Sequence, residues 1–217
     1  MLLSKLVFLA IKNVIYQSED SFTYESFMKG DFDDDTDFKM QIVNAFTPLN
    51  EAISRLSDLE RIPYRCEDII IENGNSINLT NFGHKVKEII GANDGSRAYS
   101  FRIFGDILCF EKCFRNKHLF IEYKEDIPVF SESDLVELVE DEYGHITDNN
   151  IDLSTYGLSE SVCNYIIEYV KGRLLEPIAP ELANLHITTA ETYFTNINPN
   201  KVATVQGVVQ RKYNIGD

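Results

Sequence analysis

A chain of 217 residues, 44% hydrophobic and 12% aromatic, carries enough apolar material for a sizeable core, and its length sets one domain or at most two. That excludes a disordered acidic linker. Lys plus Arg number 20 against 35 Asp plus Glu, a formal charge of −15, which excludes phosphate neutralisation as the main task because nucleic-acid binders need a basic footprint.

The chain begins "MLLSKLVFLAIKNVIY", which looks like a signal peptide until Lys12 interrupts it, no small-x-small cleavage site follows, and the run falls short of the roughly 20 residues that span a bilayer. Leu3, Val7, Ala10 or Ile11, and Val14 recur at helical spacing, so a buried helix is expected and no membrane partner. Next comes "GDFDDDTDF", residues 30–38, with Asp31, Asp33, Asp34, Asp35 and Asp37. Counted from Asp31 as an EF-hand loop, the turn glycine is replaced by Thr36 and the bidentate glutamate by Ile42, so the specific part of the motif is missing. The aspartates fit a helix start instead, where orphan amides and the macrodipole favour carboxylates, with Asp33 or Asp34 as the cap.

From Asp35 the apolar residues Phe38, Ile42, Ala45, Leu49, Ile53 or Ala52, Leu56 and Leu59 recur at steps of three and four, predicting one long amphipathic helix. Pro48 lies in its middle and predicts a kink or a junction of two helices, and Pro63 ends the stretch. At about residue 65 the pattern turns β-rich. Asn73-Gly74 reads as a hairpin turn, Gly105-Asp106 as a second, and residues 65–125 as an antiparallel sheet, sandwich or small barrel.

After Pro128, "SESDLVELVEDEYG" is a short acidic helix candidate. "LSESVCNYIIEYVKGRLLEP" places Cys163, Ile166 or Ile167, Val170 and Leu174 on one helical face with Ser159 as its cap. Pro177 breaks that helix, and Ile178, Leu182, Leu185, Tyr193 and Ile197 outline another. The expected fold class is α+β, with a helical domain from residues 1–64 and 126–198, a β insertion at 65–125, and a C-terminal extension at 199–217.

Charge is uneven. Between Glu125 and Val170 there is no Lys or Arg but twelve acidic residues, whereas the extension carries Lys201, Arg211 and Lys212 against Asp217 alone. This predicts a docking segment, Lys201, Val205, Val208, Arg211, Lys212 and Tyr213, that seeks an acidic neighbour such as Glu137, Glu140, Asp141 and Glu142 of another copy.

Catalytic motifs are missing: no nucleophile elbow, phosphate loop, H-E-x-x-H or dinucleotide fingerprint occurs, and His84, His118, His145 and His186 stand isolated. Cys66, Cys109, Cys113 and Cys163 suit a reducing compartment, and Cys109 and Cys113 near His118 lack a second pair for zinc, so they read as small buried apolar side chains. No cofactor or metal is expected, and a non-enzymatic role follows. A soluble protein-interaction or regulatory module fits these residues.

Three stretches together resemble the head-to-tail adaptors of tailed bacteriophages, also called connector, neck or ring proteins, and in particular the tail tubular protein A type of short-tailed phages. They are "DDDTDFKMQIVNAFTPLNEAISRLSDLERIPY", the strand, proline and acidic passage "HLFIEYKEDIPVFSESD", and the paired helices of "STYGLSESVCNYIIEYVKGRLLEPIAPELANLHITTAETYF". The resemblance implies a virion neck protein, with a crAss-like phage as its source, assembled in the host cytoplasm as a ring, usually a dodecamer in the family. It implies the portal protein and a downstream tail or ring protein as partners, with DNA passing an acidic lumen unbound.

Overall fold

The computed structural model describes residues 1–15, 22–31, 34–135, 139–140, 146–147 and 151–197, and its fold is α+β. Two units divide the chain, one from Met1–Ile62 with Val129–Asn198 and the other, among the described residues, Pro63–Pro128. The extension at 199–217 lies outside the described residues.

The first unit is helical. In α1 (Leu3–Ile15) the predicted stripe is inward, with Leu3, Leu6, Val7, Ala10 and Ile11 fully buried. A short α2 (Tyr24–Met28), capped by Thr23, adds Phe27 to an aromatic cluster with Phe8, Phe22 and Phe38. The long α3 (Thr36–Asp58) is capped by Asp35, not by Asp33 or Asp34: its carboxylate accepts the amides of Asp37 at 2.9 Å and Phe38 at 3.1 Å. Only the residue immediately before the first helical one, in extended backbone, has its side chain within reach of those amides.

Pro48 does not divide the helix, which continues as one element through it, with Pro48 itself buried. Its missing N–H leaves the Asn44 carbonyl without the usual partner. Phe38, Ile42, Ala45, Leu49, Ala52, Ile53 and Leu56 are buried as the spacing predicts, but Leu59 is 51% exposed. Leu59 lies past the last helical turn and precedes Glu60, whose positive φ of 56° turns the chain away.

The acidic helix expected after Pro128 does not form in the described residues. A 3-10 turn at Glu132–Asp134 is followed by a two-stranded ladder of β5 (Val139–Glu140) and β6 (Ile146–Thr147). Residues 136–138 and 141–144 of that expected helix lie outside the described residues, and the β-branched Val139, Ile146 and Thr147 stand in the ladder. The Asn50 side chain then fastens the segment to α3, donating to the Phe130 carbonyl at 2.8 Å and accepting its amide at 2.9 Å.

Helix α4 (Glu160–Leu175) begins at Ser159, whose hydroxyl accepts the Val162 amide, and buries Cys163, Ile166, Ile167, Val170 and Leu174. Helix α5 (Pro180–Asn196) starts on a proline, as a first turn permits. Its inward face is Ala183, Ala190 and Phe194, and the predicted Ile178 and Leu185 are outside, at 62% and 61% exposed. Gly172 of α4 makes room for α5: an added Cβ would meet the Ile187 side chain at 2.6 Å and the Ala183 carbonyl at 3.2 Å.

The second unit is one antiparallel sheet in the order β1 (Arg65–Asn78), β4 (Ile107–Glu125), β2 (Val86–Asn93), with β3 (Phe101–Phe104) also on β4. Neither a sandwich nor a barrel is formed by the described residues. Asn73-Gly74 is no hairpin turn: β1 continues through it, pairing Asn73 with Arg115 and Gly74 with Phe114, and the register shifts between Gly74 and Ser76. Gly74 at φ 137° marks a bulge, the other structure that a glycine within a β-rich run can signal. Gly105-Asp106 is the tight turn, joining Phe104 to Ile107, with Gly105 at φ 59°.

The core lies on one face of this sheet. Leu108, Phe110 and Phe114 enter it from even positions of β4, then Leu119, Ile121 and Tyr123 from odd ones. Asn116, with φ 44°, stands between the two runs, where a kinked residue re-phases which side chains point inward.

Candidate interaction surfaces

Central strand β4 leaves the sheet with two unlike edges. Among the described residues no strand pairs with the outer side of β1, and β2 and β3 share the opposite side of β4 end to end. The β1 edge holds Arg65 against Glu67, Asp68 and Glu72, a formal charge of −2. The opposite edge, residues 85–104, holds Lys85, Lys87, Arg97 and Arg102 against Glu88 and Asp94, a formal charge of +2. In a chain at −15 this is a local reversal of sign.

Both edges also expose apolar side chains. Ile70 is 54% exposed on β1, and the β3–β4 turn presents Ile103, Phe104 and Ile107, with Phe104 at 63%. Beside that turn lies a cleft of about 550 Å³ lined by Leu79, Phe82, His84, Val86, Ile103 and Asp106. At its far end Glu125, buried, accepts from Arg65 at 2.8 Å and stands 2.8 Å from His84 Nδ1. Lys85 reaches Asp126 at 2.5 Å, and that hydrogen bond raises the lysine's pKa.

Across the sheet the polar groups are mostly tied down. Burial pushes the Asp94 carboxyl upward, but hydrogen bonds from Lys117 and Tyr99 prevail and hold its pKa at about 2. Glu122 is the exception. It is 4% exposed between Cys66 of β1 and Gly91 of β2, its Oε1 has no hydrogen-bond partner, and burial raises its pKa. Burial likewise pushes the neighbouring Cys66 thiol up to about 11, so neither group is a nucleophile at neutral pH.

The helical unit offers a second surface. Ile178, Leu182 and Leu185 form a ridge with a cleft of about 770 Å³ at the start of α5 and another of about 320 Å³ between Thr47, Pro48 and Glu51 of α3 and Arg173 to Ile178. Arg173 is held at the rim by Glu176 at 2.7 Å. Deeper in this unit Arg55 grips Glu191 through two nitrogens at 2.5 and 3.0 Å, which raises the arginine's pKa, and His186 lies 2.6 Å from Glu168. These pairs join α3 or α4 to α5 and are structural.

Most of the docking residues predicted from sequence lie outside the described residues. Lys201, Val205, Val208, Arg211, Lys212 and Tyr213 lie outside the described residues, as do Glu137, Asp141 and Glu142, while Glu140 is in β5 opposite Ile146. The surfaces the structure does supply were missed because periodicity assigned Ile178 and Leu185 to a core. The turn at Gly105-Asp106 was the one available signal for the exposed Phe104 and Ile107. Cys109 is half-buried and Cys113 exposed, which corrects their assignment as buried apolar side chains; both sit where β4 shifts register against β1. His118 stands 3.2 Å from Asp68 instead of facing them.

Among the described residues no three His, Cys, Asp or Glu side chains group to hold a metal ion, and no helix is long and apolar enough to cross a membrane. No family model and no curated protein matches the chain.

Proposed function

We propose that this protein is a non-enzymatic virion component, a head-to-tail adaptor whose copies form a ring between the portal protein and the next tail component. One observation carries the reading: helices from both ends of the chain make a single unit, and an antiparallel sheet is inserted between them, in the chain order of the resemblance drawn from sequence. The charge distribution supports it. A ring of acidic chains gives a passage that repels DNA phosphates, so DNA slides without binding.

A ring needs unlike faces that meet head to tail, and the two unlike sheet edges meet that requirement. The test is mass spectrometry of purified virions followed by cryo-electron microscopy of the neck. The expected result is the chain in mature particles as a ring below the portal, and its absence from purified virions overturns the reading. The exposed ridge of Ile178, Leu182 and Leu185 favours a second reading, a soluble interaction or regulatory module, which absence from virions would leave standing.

A further inference from the structure

We propose that copies of this chain join through their sheets, the acidic outer edge of β1 in one copy lying beside the basic β2/β3 edge of the next. This deepens the ring reading above, because it assigns the surface on which subunits meet.

An edge strand with unpaired amides and carbonyls is a template for another strand, and proteins that keep it unpaired blunt it with charge, proline or cover. Charge used only for blunting has no need to differ in sign between edges. Here the sign differs, −2 on β1 and +2 on residues 85–104, and each edge adds an exposed apolar contact, Ile70 on one and Ile103 with Phe104 on the other. Opposed potentials of this kind select a partner and fix its register.

Strand direction agrees. Both β1 and β2 run antiparallel to β4 and hence parallel to one another, so setting β1 of one copy against β2 of the next keeps both copies in the same orientation. That is a heterologous contact, which closes into a ring or continues as a filament. A two-fold dimer would instead set β1 against β1 and bring Asp68 and Glu72 toward their own images, and like charges so placed are repelled.

Sedimentation velocity of the full chain across a dilution series tests the junction with two variants at exposed positions. One carries Asp68→Lys with Glu72→Lys, making both edges basic; the other carries Lys87→Glu with Arg102→Glu, making both acidic. The unaltered chain is expected to grow beyond a dimer with concentration, and each variant alone to associate about tenfold or more weakly. Mixing the two variants restores assembly, since every junction then joins an acidic to a basic edge. Circular dichroism checks that each variant is folded, and Glu72→Lys or Arg102→Glu alone serves if a double variant is not.

A chain that stays monomeric throughout, folded variants that assemble undiminished, or a mixture that stays dissociated overturns the proposal. The two readings fail separately. A monomeric chain removes this junction while the virion result stands, and absence from virions removes the adaptor while the sedimentation result stands.

Discussion

The two units are built on opposite electrostatic plans. The helical unit, residues 1–62 and 129–198, has 8 Lys and Arg against 24 Asp and Glu, a formal −16, whereas residues 63–128 have 9 against 10, a formal −1. In the sheet the charges meet across strands and turns, as in Arg65 with Glu125, Lys117 with Asp94 and Lys124 with Glu88. In the helical unit acidic residues outnumber Lys and Arg three to one. That unit has an extensive apolar core to set against the imbalance, with Leu3, Leu6, Ile11, Leu49 and Leu56 among its most buried side chains. The lesson is that the net charge of the whole chain describes one unit and conceals the other, which is where the unlike edges lie.

If each unit rests on its own core, the largest effect comes from emptying one. Leu119, fully buried in β4, and Leu56, fully buried in α3, are matched probes. Leu119→Ala and Leu56→Ala are each expected to cost about 2 to 5 kcal/mol by urea unfolding. Amide exchange should place the loosening in the sheet for Leu119→Ala and in the helices for Leu56→Ala. Loss of protection spread evenly over both units in either variant would erase the distinction between them.

A smaller effect probes the buried carboxylate of Glu122. Glu122 has a raised pKa because burial penalises its charged form, so its contribution is most favourable when it is protonated. Its folded pKa lies above the unfolded value near 4.5, so that stability is full below about pH 4.5 and is lost as pH rises through the raised folded value. Once pH exceeds the raised folded value the side chain ionises with Oε1 unpartnered, which is a net cost to the fold. Glu122→Gln is therefore expected to raise the urea midpoint at pH 7 and to lose that advantage at pH 4. An advantage that persists at pH 4 would mean that packing, not ionisation, separates the two side chains.

How much of this was legible in the sequence follows from what each pattern measures. Periodicity reports which residues share a face, and nearly all the positions it named in α1, α3 and α4 are buried, though it passed over others such as Leu6, Phe8, Val162 and Tyr165. It cannot report which way a face turns, so α5 was rotated: Ala183 and Ala190 are too small to register as a stripe, yet they are buried, and Gly172 of α4 leaves the space that Ile187 fills. Turn chemistry was right at Gly105-Asp106 and wrong at Asn73-Gly74, because a glycine in a β-rich run signals a turn or a bulge and only the partner strand decides. The fold class and the order of elements were thus readable from local pattern. The unlike edges were not, since they depend on which strands β4 separates, and that is a long-range fact.

The smallest effect returns to the acidic run that opens α3. Of the described aspartates there, Asp35 alone caps the helix, and its carboxylate accepts from two orphan amide donors that no backbone group can serve. Asp35→Ala is expected to cost about 1 kcal/mol, and Asp35→Asn or Asp35→Ser to recover most of it, because the cap needs a side-chain oxygen more than a charge. Asp34→Ala, one residue outside the cap, should change stability by less than about 0.5 kcal/mol. The charge matters in a second way: the run adds to the excess of the helical unit, so Asp35→Asn keeps the hydrogen bond while removing one negative charge. If Asp35→Asn proves more stable than the unaltered chain at low salt and equal to it at high salt, self-repulsion in the helical unit outweighs the dipole's attraction for that carboxylate. If it is less stable at both, the macrodipole prevails, and the acidic excess of this unit lies too far from its helix starts to weaken them.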